Sequence, residues 1–393
     1  MAGTQTDTEQ QTPRPVAAPD VTIVAHDIGA VGGMERQLAE LILGLRRMGH
    51  HVTVIARTCE LPPDPGIDFH QVRAPGRPFA LAYPWFMITG SLAVRRHRRG
   101  VVQATGAIVL NRVDVVAVHY CHQVGPASAS RSTALFRGHV KVASVLKRAG
   151  ERLCFRANRP AAFVCVSHGV ADEMREHFPK LADRVVTIHN GVDTEAFAPD
   201  VQRSEALAAR ASLGIAEEEL VAVFVGSEWE RKGLEPVIRA LALAPQWRLL
   251  VVGGGDRARY QVLADSLGVG RAVHWLGVTS DVQLAYAMAD AFVLASSYET
   301  FSLVTFEAAA SGLPVLATPV SGVRELIQDG QNGFLISREP EVIAARLQQL
   351  ADDPGLRTRL GGAARESALG FGWQAMVSSH HGLYARLAAQ NGK

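Results

Sequence analysis

The chain has 393 residues, with 40 Lys/Arg against 38 Asp/Glu for a formal net charge of +2. Its 48% hydrophobic and 20% charged content is ordinary for a folded enzyme. At this length two or three domains are expected, because a single core seldom grows past roughly 250–300 residues. No apolar run approaches the roughly 18 residues of a spanning helix, which argues against an integral membrane protein.

The first 19 residues are polar and proline-containing, and predict a disordered tail with no signal peptide. The cysteines at 59, 121, 154 and 165 form no C-x-x-C pair. That spacing suits neither a disulfide framework nor a zinc site, so reduced thiols and a cytoplasmic protein are expected. The charge is unevenly spread. Asp20 to Phe197 has 22 Lys/Arg against 15 Asp/Glu, whereas Ala198 onward has 17 against 21. Between Arg73 and Arg159 the only acids are Asp114 and Glu151, a bias that suits an anionic membrane surface. No nucleic-acid partner is expected.

Short apolar runs alternate with amphipathic stretches, the pattern of parallel α/β layers. Val21–Ala25 reads as a buried strand, followed by a loop containing Gly29, Gly32 and Gly33 and a helix from Met34 to Met48 that Gly49 ends. Further strands are expected at Val52–Ala56, Val115–Val118, Ala162–Val166 and Val185–Ile188. A second series follows at Val221–Val225, Arg248–Val252, Ala272–Trp275, Ala291–Leu294 and Pro314–Ala317. The fold class expected is α/β, two doubly wound Rossmann-like domains facing across a cleft. The first covers 20–197 and the second 198–372, with the linker near Ala198–Ser204. An amphipathic helix at about 373–390 is expected to pack back on the first domain. Ligands of such sheets bind beyond the carboxyl ends of the strands.

The strongest chemical signal is Glu299-Thr-Phe-Ser-Leu-Val-Thr-Phe-Glu307, two carboxylates eight positions apart after the strand Ala291–Leu294. If a helix starts here, the amides of Ser302, Leu303 and Val304 are unpaired first-turn donors, and donors plus dipole suit a phosphate. Glu299 and Glu307 then offer acceptors for hydroxyl groups at two depths. Read alone, they could equally be a dipole partner and a solvated helix residue. Arg231 and Lys232 follow the strand Val221–Val225 and Gly226, where cations could neutralise a diphosphate; alone, they read as a solvated basic turn. Gly32 and Gly33 permit close backbone approach to a phosphate, or simply a tight turn.

The Glu299–Glu307 segment resembles the E-x7-E signature of the family-4 retaining glycosyltransferases of GT-B fold. The resemblance continues through Ala308–Ala317, and it includes His189-Asn-Gly-Val-Asp-Thr-Glu-Ala-Phe197, Val166-Ser-His-Gly-Val170 and Phe224–Gly233. It implies a transferase that moves a sugar from a nucleotide diphosphate donor without a metal or other cofactor. The donor implied is a UDP-sugar or GDP-mannose, and the acceptor a glycan, a lipid-linked compound or a small molecule. It implies that Glu307 holds the donor ribose and Glu299 the transferred sugar. Lys232 and Arg231 would meet the diphosphate, together with Gly32, Gly33 and the 302–304 amides, while Val278 lines the base. His119, after the strand Val115–Val118, matches the family's first-domain active-site histidine. The family usually has Gly where Ser302 stands, so a slightly narrower pocket is expected. It often has Arg where Ser227 stands, so Arg231 is expected to substitute.

Three other readings compete. Gly253-Gly-Gly255-Asp-Arg-Ala258 fits a dinucleotide fingerprint, but no acid follows the strand Ala272–Trp275, which weakens an NAD(P)-dependent oxidoreductase. A non-catalytic nucleotide- or glycan-binding protein on the same fold is the second alternative, and a nucleotide-sugar epimerase of similar two-domain shape the third, although the Glu299/Glu307 pair does not resemble its pattern. Local features raise further questions. His119, Cys121 and His122 raise a metal site, but on a strand His119 and Cys121 share a face while His122 points away. Finally, Tyr83-Pro-Trp-Phe-Met-Ile followed by Arg95, Arg96, Arg98 and Arg99 reads either as a core helix with a charged end or as a peripheral membrane helix.

Overall fold

The computed structural model describes residues 18–29, 32–75, 78–124, 134–158 and 160–392. Most of the N-terminal tail and part of the basic 131–159 segment lie outside these residues.

Two all-parallel sheets form the frame. The first has seven strands: β1 Val21–Val24, β2 Val52–Ala56, β3 Ile67–Gln71, β4 Val101–Thr105, β5 Val115–Val118, β6 Ala162–Cys165 and β7 Val185–Thr187. Their order across the sheet is β3-β2-β1-β4-β5-β6-β7. The second has β8 Leu220–Val225, β9 Trp247–Val252, β10 Val273–Gly277, β11 Ala291–Leu294, β12 Val315–Ala317 and β13 Gly333–Leu335, in the order β10-β9-β8-β11-β12-β13. In both, the order reverses beside the first strand, which opens a crevice at the strands' carboxyl ends. The central strands are apolar on both faces because helices cover both.

Three strands of these two sheets were not legible in the sequence. The edge strand β3, Ile-Asp-Phe-His-Gln, is polar and largely open to solvent. The five residues of β4 follow a run of arginines, and the three of β13 begin with glycine. None offers an apolar run long enough to stand out.

The helices that shape the cleft are α1 Gly33–Arg47, α2 Phe79–His97, α3 Ala134–Asn158, α4 His168–His177, α5 Trp229–Lys232, α6 Leu303–Ala310, α7 Val323–Leu326 and α8 Trp373–Asn391. Helix α8 returns to the first sheet. A Cβ on Gly44 of α1 would lie 2.4 Å from Val377, so the two helices meet closely where α1 lacks a side chain. Tyr384 is fully buried and donates its hydroxyl hydrogen to Gln103 of β4 at 2.7 Å. The four cysteines are all free thiols, three of them buried.

Candidate functional site

Glu299 is the centre of the site. It stands in the loop between β11 and α6 and is 9% exposed. Its Oε1 accepts from Lys232 Nζ at 2.8 Å, Arg231 Nη1 at 3.2 Å and Ser296 Oγ at 2.7 Å. Burial pushes the carboxyl's pKa up, but Lys232 and then Arg231 outweigh it and hold the group below the ordinary carboxylate value. The cations arrive there because β8 ends at Gly226 (φ 147°), over which the Lys232 side chain lies; a Cβ on Gly226 would be 2.4 Å from Lys232 Cδ. Glu228 and Gly233, both left-handed, bracket the one-turn helix α5. Ser297 N donates to Arg231 O at 2.9 Å and ties α5 to the Glu299 loop.

The start of α6 follows. The N–H groups of Ser302, Leu303 and Val304 donate to no other group among the described residues, as first-turn amides do. Ser302 corrects one expectation. Its backbone is left-handed, φ 65° and ψ 59°, and its side chain is buried against Thr305, Oγ to Oγ1 2.8 Å. The hydroxyl therefore turns into the protein and does not narrow the pocket; what serine costs here is backbone strain.

Glu307 is not a solvated helix residue. Its Oε2 accepts from the fully buried Tyr286 hydroxyl at 3.1 Å, and its Oε1 lies 3.8 Å from Arg36 Nη1 of α1. Burial raises its pKa, offset in part by Arg36 and Tyr286. Gly33 faces the same place: a Cβ on it would lie 3.1 Å from Leu303 Cδ1. Gly32 is left-handed, φ 97°, at the N-cap of α1. The Gly-Gly loop and the start of α6 thus meet across the cleft.

The glycines at 253–255 have a packing role. A Cβ on Gly253 would lie 2.2 Å from Gly226 O, and one on Gly255 would lie 2.3 Å from the Trp229 ring. Beside them Val278 is 83% exposed, 3.4 Å from where a Gly254 Cβ would be. Glycine backbone and the exposed Val278 side chain thus lie side by side as a shelf.

His119 departs from the expected arrangement. Strand β5 ends at Val118, so strand alternation does not extend to Cys121 and His122. Cys121 is fully buried, and its thiol pKa is pushed up to about 12, chiefly by burial. His119 keeps Nε2 buried without a hydrogen-bond partner, and burial and then nearby His380 of α8 lower its pKa to about 4. No contact joins it to Glu299 or Lys232 among the described residues. Tyr120 is the residue of this loop that reaches the second domain, its ring edge-on to Tyr298 with centroids 5.6 Å apart.

Sequence reasoning had His168 and His189 only within resembling motifs and missed the contacts that join the domains. Tyr298 donates to Glu173 of α4 at 3.2 Å. Glu325 of α7 accepts from His168 N at 2.9 Å and pairs with His189 Nε2. Among the described residues, His168, His189 and Glu325 are the grouping with metal-ligand potential, not His119, Cys121 and His122. Between α4 and the Glu299 loop lies a cavity of about 410 Å³, lined among others by Asp172, Glu173, Tyr298, Glu299 and Arg324. Only Arg36, three residues after Gly33, carried a usable signal, since i and i+3 share a helix face; the others depend on interdomain packing.

This frame and site define a two-domain glycosyltransferase of GT-B fold. Residues 206–367 match the model of glycosyl transferases group 1, and residues 31–196 that of Glycosyltransferase Family 4. A D-inositol 3-phosphate glycosyltransferase of Streptomyces coelicolor is 30% identical over 91% of this chain and 87% of its own length. The chain belongs to the family-4 glycosyltransferases. The enzyme of the same name from Streptomyces avermitilis is 34% identical, but the match spans 54% of this chain and about half, 49%, of that protein. Two solved structures share the fold. WaaG, a glycosyltransferase involved in lipopolysaccharide biosynthesis, has a TM-score of 0.75 at 22% identity, covering 93% of this chain and 99% of its own. Anabaena HepE in complex with UDP-glucose has a TM-score of 0.70 at 18% identity, covering 95% and 100%. The oxidoreductase alternative is not favoured.

Proposed function

We propose that the protein is a retaining, metal-independent transferase that uses a UDP-sugar, with GDP-mannose the alternative donor, and glycosylates a hydroxyl of a glycan, lipid-linked or small-molecule acceptor in the cytoplasm. The observation that carries this reading is that Lys232 and Arg231 meet on Glu299 in the loop leading into the unpaired first-turn amides of α6, with Glu307 deeper in that helix.

In this reading the nucleoside lies on the shelf formed by Val278 and the glycines, and Glu307, oriented by Tyr286, accepts from the ribose hydroxyls. The diphosphate meets Lys232, Arg231, the amides of Ser302, Leu303 and Val304, and the backbone of Gly32 and Gly33. These donors stabilise negative charge as the sugar–phosphate bond breaks, which is electrostatic work a metal does elsewhere. Glu299, freed from Lys232 by the phosphate, turns to the hydroxyls of the transferred sugar. His119, neutral at pH 7, contributes from the first domain once the cleft closes on both substrates. The leaving phosphate takes the acceptor's proton, and the acceptor attacks the face that the diphosphate leaves.

The test is thermal stabilisation by UDP, GDP, ADP and NAD, each with and without EDTA, for the wild type and Glu307→Ala. Ligands that bind only the native state raise its melting temperature. One nucleoside diphosphate is expected to stabilise the wild type equally with EDTA, and the variant far less. Stabilisation by NAD alone, or by no diphosphate, overturns the reading.

A further inference from the structure

The outward face of α2 is apolar where a surface helix is normally polar. Leu81, Trp85, Ile88 and Leu92, at positions i, i+4, i+7 and i+11 of one face, are 65%, 55%, 57% and 60% exposed. The opposite face, including Tyr83, Phe86, Met87 and Val94, is already buried in the first domain. Single exposed apolar residues need no explanation, but a continuous stripe of four marks an interaction surface.

The charges around the stripe are mostly positive. Helix α2 contains no acid and ends in exposed Arg95 and Arg96, with exposed Arg98 and Arg99 next; Arg99 is shared with Asp68 of β3. Helix α3 runs alongside, its Lys147 5.0 Å from the Phe79 ring, and adds Arg148 and Arg152. The two acids between Arg73 and Arg159 are engaged in hydrogen bonds within the first domain. Glu151 is 2% exposed and accepts from His122 N and Gln123. Asp114 accepts from Val102 N and Asn391. Apolar side chains with a tryptophan among them, rimmed mainly by cations while Asp68 and Asp27 are paired with Arg99 and Arg57, complement an anionic bilayer surface.

Trp85 belongs to two features at once. It also lines a cavity of about 810 Å³ with Asp27, Arg57, Gln71 and Arg73. These residues follow the carboxyl ends of β1, β2 and β3, the side of the first domain that faces the cleft. The cavity is polar toward the sheet and adjoins the stripe at Trp85.

We propose that α2 docks on an anionic bilayer and that the cavity behind Trp85 receives the polar head of a membrane-borne acceptor. The second half rests on the transferase reading; the docking stands without it.

Flotation with vesicles of phosphatidylglycerol and phosphatidylcholine tests the docking, with pure phosphatidylcholine as control. The triple variant Trp85→Ser/Ile88→Ser/Leu92→Ser changes only exposed side chains. The wild type is expected to float with anionic vesicles and to bind about ten-fold more weakly without anionic lipid or when salt rises from about 0.1 M to about 0.5 M. The triple variant is expected to lose about ten-fold at low salt, with its melting temperature and nucleotide stabilisation unchanged. Brominated lipid is expected to quench the fluorescence that Trp85→Phe removes. A wild type that does not float, or a triple variant that floats as well, overturns the proposal. So does a wild-type dimer that the triple variant converts to monomer, since the stripe then serves self-association. Failure of the transferase reading registers separately, as absent nucleotide stabilisation in a protein that still floats.

Discussion

Lys232 Nζ and Glu299 Oε1 are 2.8 Å apart, so the cation that the proposed function assigns to the diphosphate and the carboxylate it assigns to the sugar neutralise each other. Both side chains are about nine-tenths buried, and Arg231 closes on the same oxygen. In the proposed function a donor exchanges this internal pair for two external ones. Charge pairs in such surroundings are strong only while every partner is satisfied.

Replacing Glu299 with Gln therefore separates binding from transfer. Without the carboxylate, Lys232 and Arg231 are left for phosphate alone. UDP is expected to bind roughly five-fold tighter, about 1 kcal/mol. The UDP-sugar gains less, because its hydroxyls lose their acceptor, and turnover falls by about 10²–10³ if Glu299 acts in the transition state. Calorimetric titration with UDP and with the UDP-sugar, beside a turnover assay, checks this. Weaker UDP binding in the variant would falsify the idea that Glu299 competes with phosphate for the cations.

Much of the architecture was legible because buried parallel strands write themselves as apolar runs. Val52–Ala56, Val115–Val118 and Ala291–Leu294 have the boundaries expected from sequence. The spacing of Glu299 and Glu307 likewise put one carboxylate in the loop before α6 and the other inside that helix. What stayed hidden was tertiary. Tyr286 reaches Glu307 from another helix, and Glu173 meets Tyr298 only because the domains pack there. No local pattern announces contacts over 21 and 125 positions. The left-handed backbone at Ser302 was hidden too, since serine does not advertise a positive φ as glycine does.

Ser302 gives a stability prediction whose sign depends on that backbone. A non-glycine residue in the left-handed region costs about 1–2 kcal/mol, and the bond to Thr305 returns about 1 kcal/mol. Ser302→Gly relieves the strain but strands the buried Thr305 hydroxyl at about 1–3 kcal/mol, so it is expected to lie between about 1 kcal/mol more and about 2 kcal/mol less stable than the wild type. Ser302→Ala keeps the strain and strands the Thr305 hydroxyl, which is fully buried, so it is expected to be about 1–3 kcal/mol less stable. Denaturant unfolding of the three proteins decides the matter, and an Ala variant as stable as the Gly variant sinks the argument.

Glu173 gives the pH dependence. Burial pushes its carboxyl up to about 7, while the Tyr298 hydroxyl pulls it down and Glu176 raises it further. A carboxyl raised in the folded state binds protons there that the unfolded chain has already released. Stability from this group is therefore fully present below the unfolded pKa, near 4.5, and is lost as pH climbs toward 7. The limiting slope is about 1.4 kcal/mol per pH unit, reduced by the partial exposure of the side chain. Glu173→Gln removes the titration, while its side-chain oxygen can still accept from Tyr298. The variant is expected to gain on the wild type between pH 5 and 8, where each protein is melted at several pH values on the scale of about one unit. Tyr298→Phe removes the one hydrogen bond that favours the ionised carboxylate, so it should steepen the wild type's loss. If Glu173→Gln and the wild type keep a constant difference across that range, Glu173 does not titrate there, and the contact between α4 and the Glu299 loop is insensitive to pH.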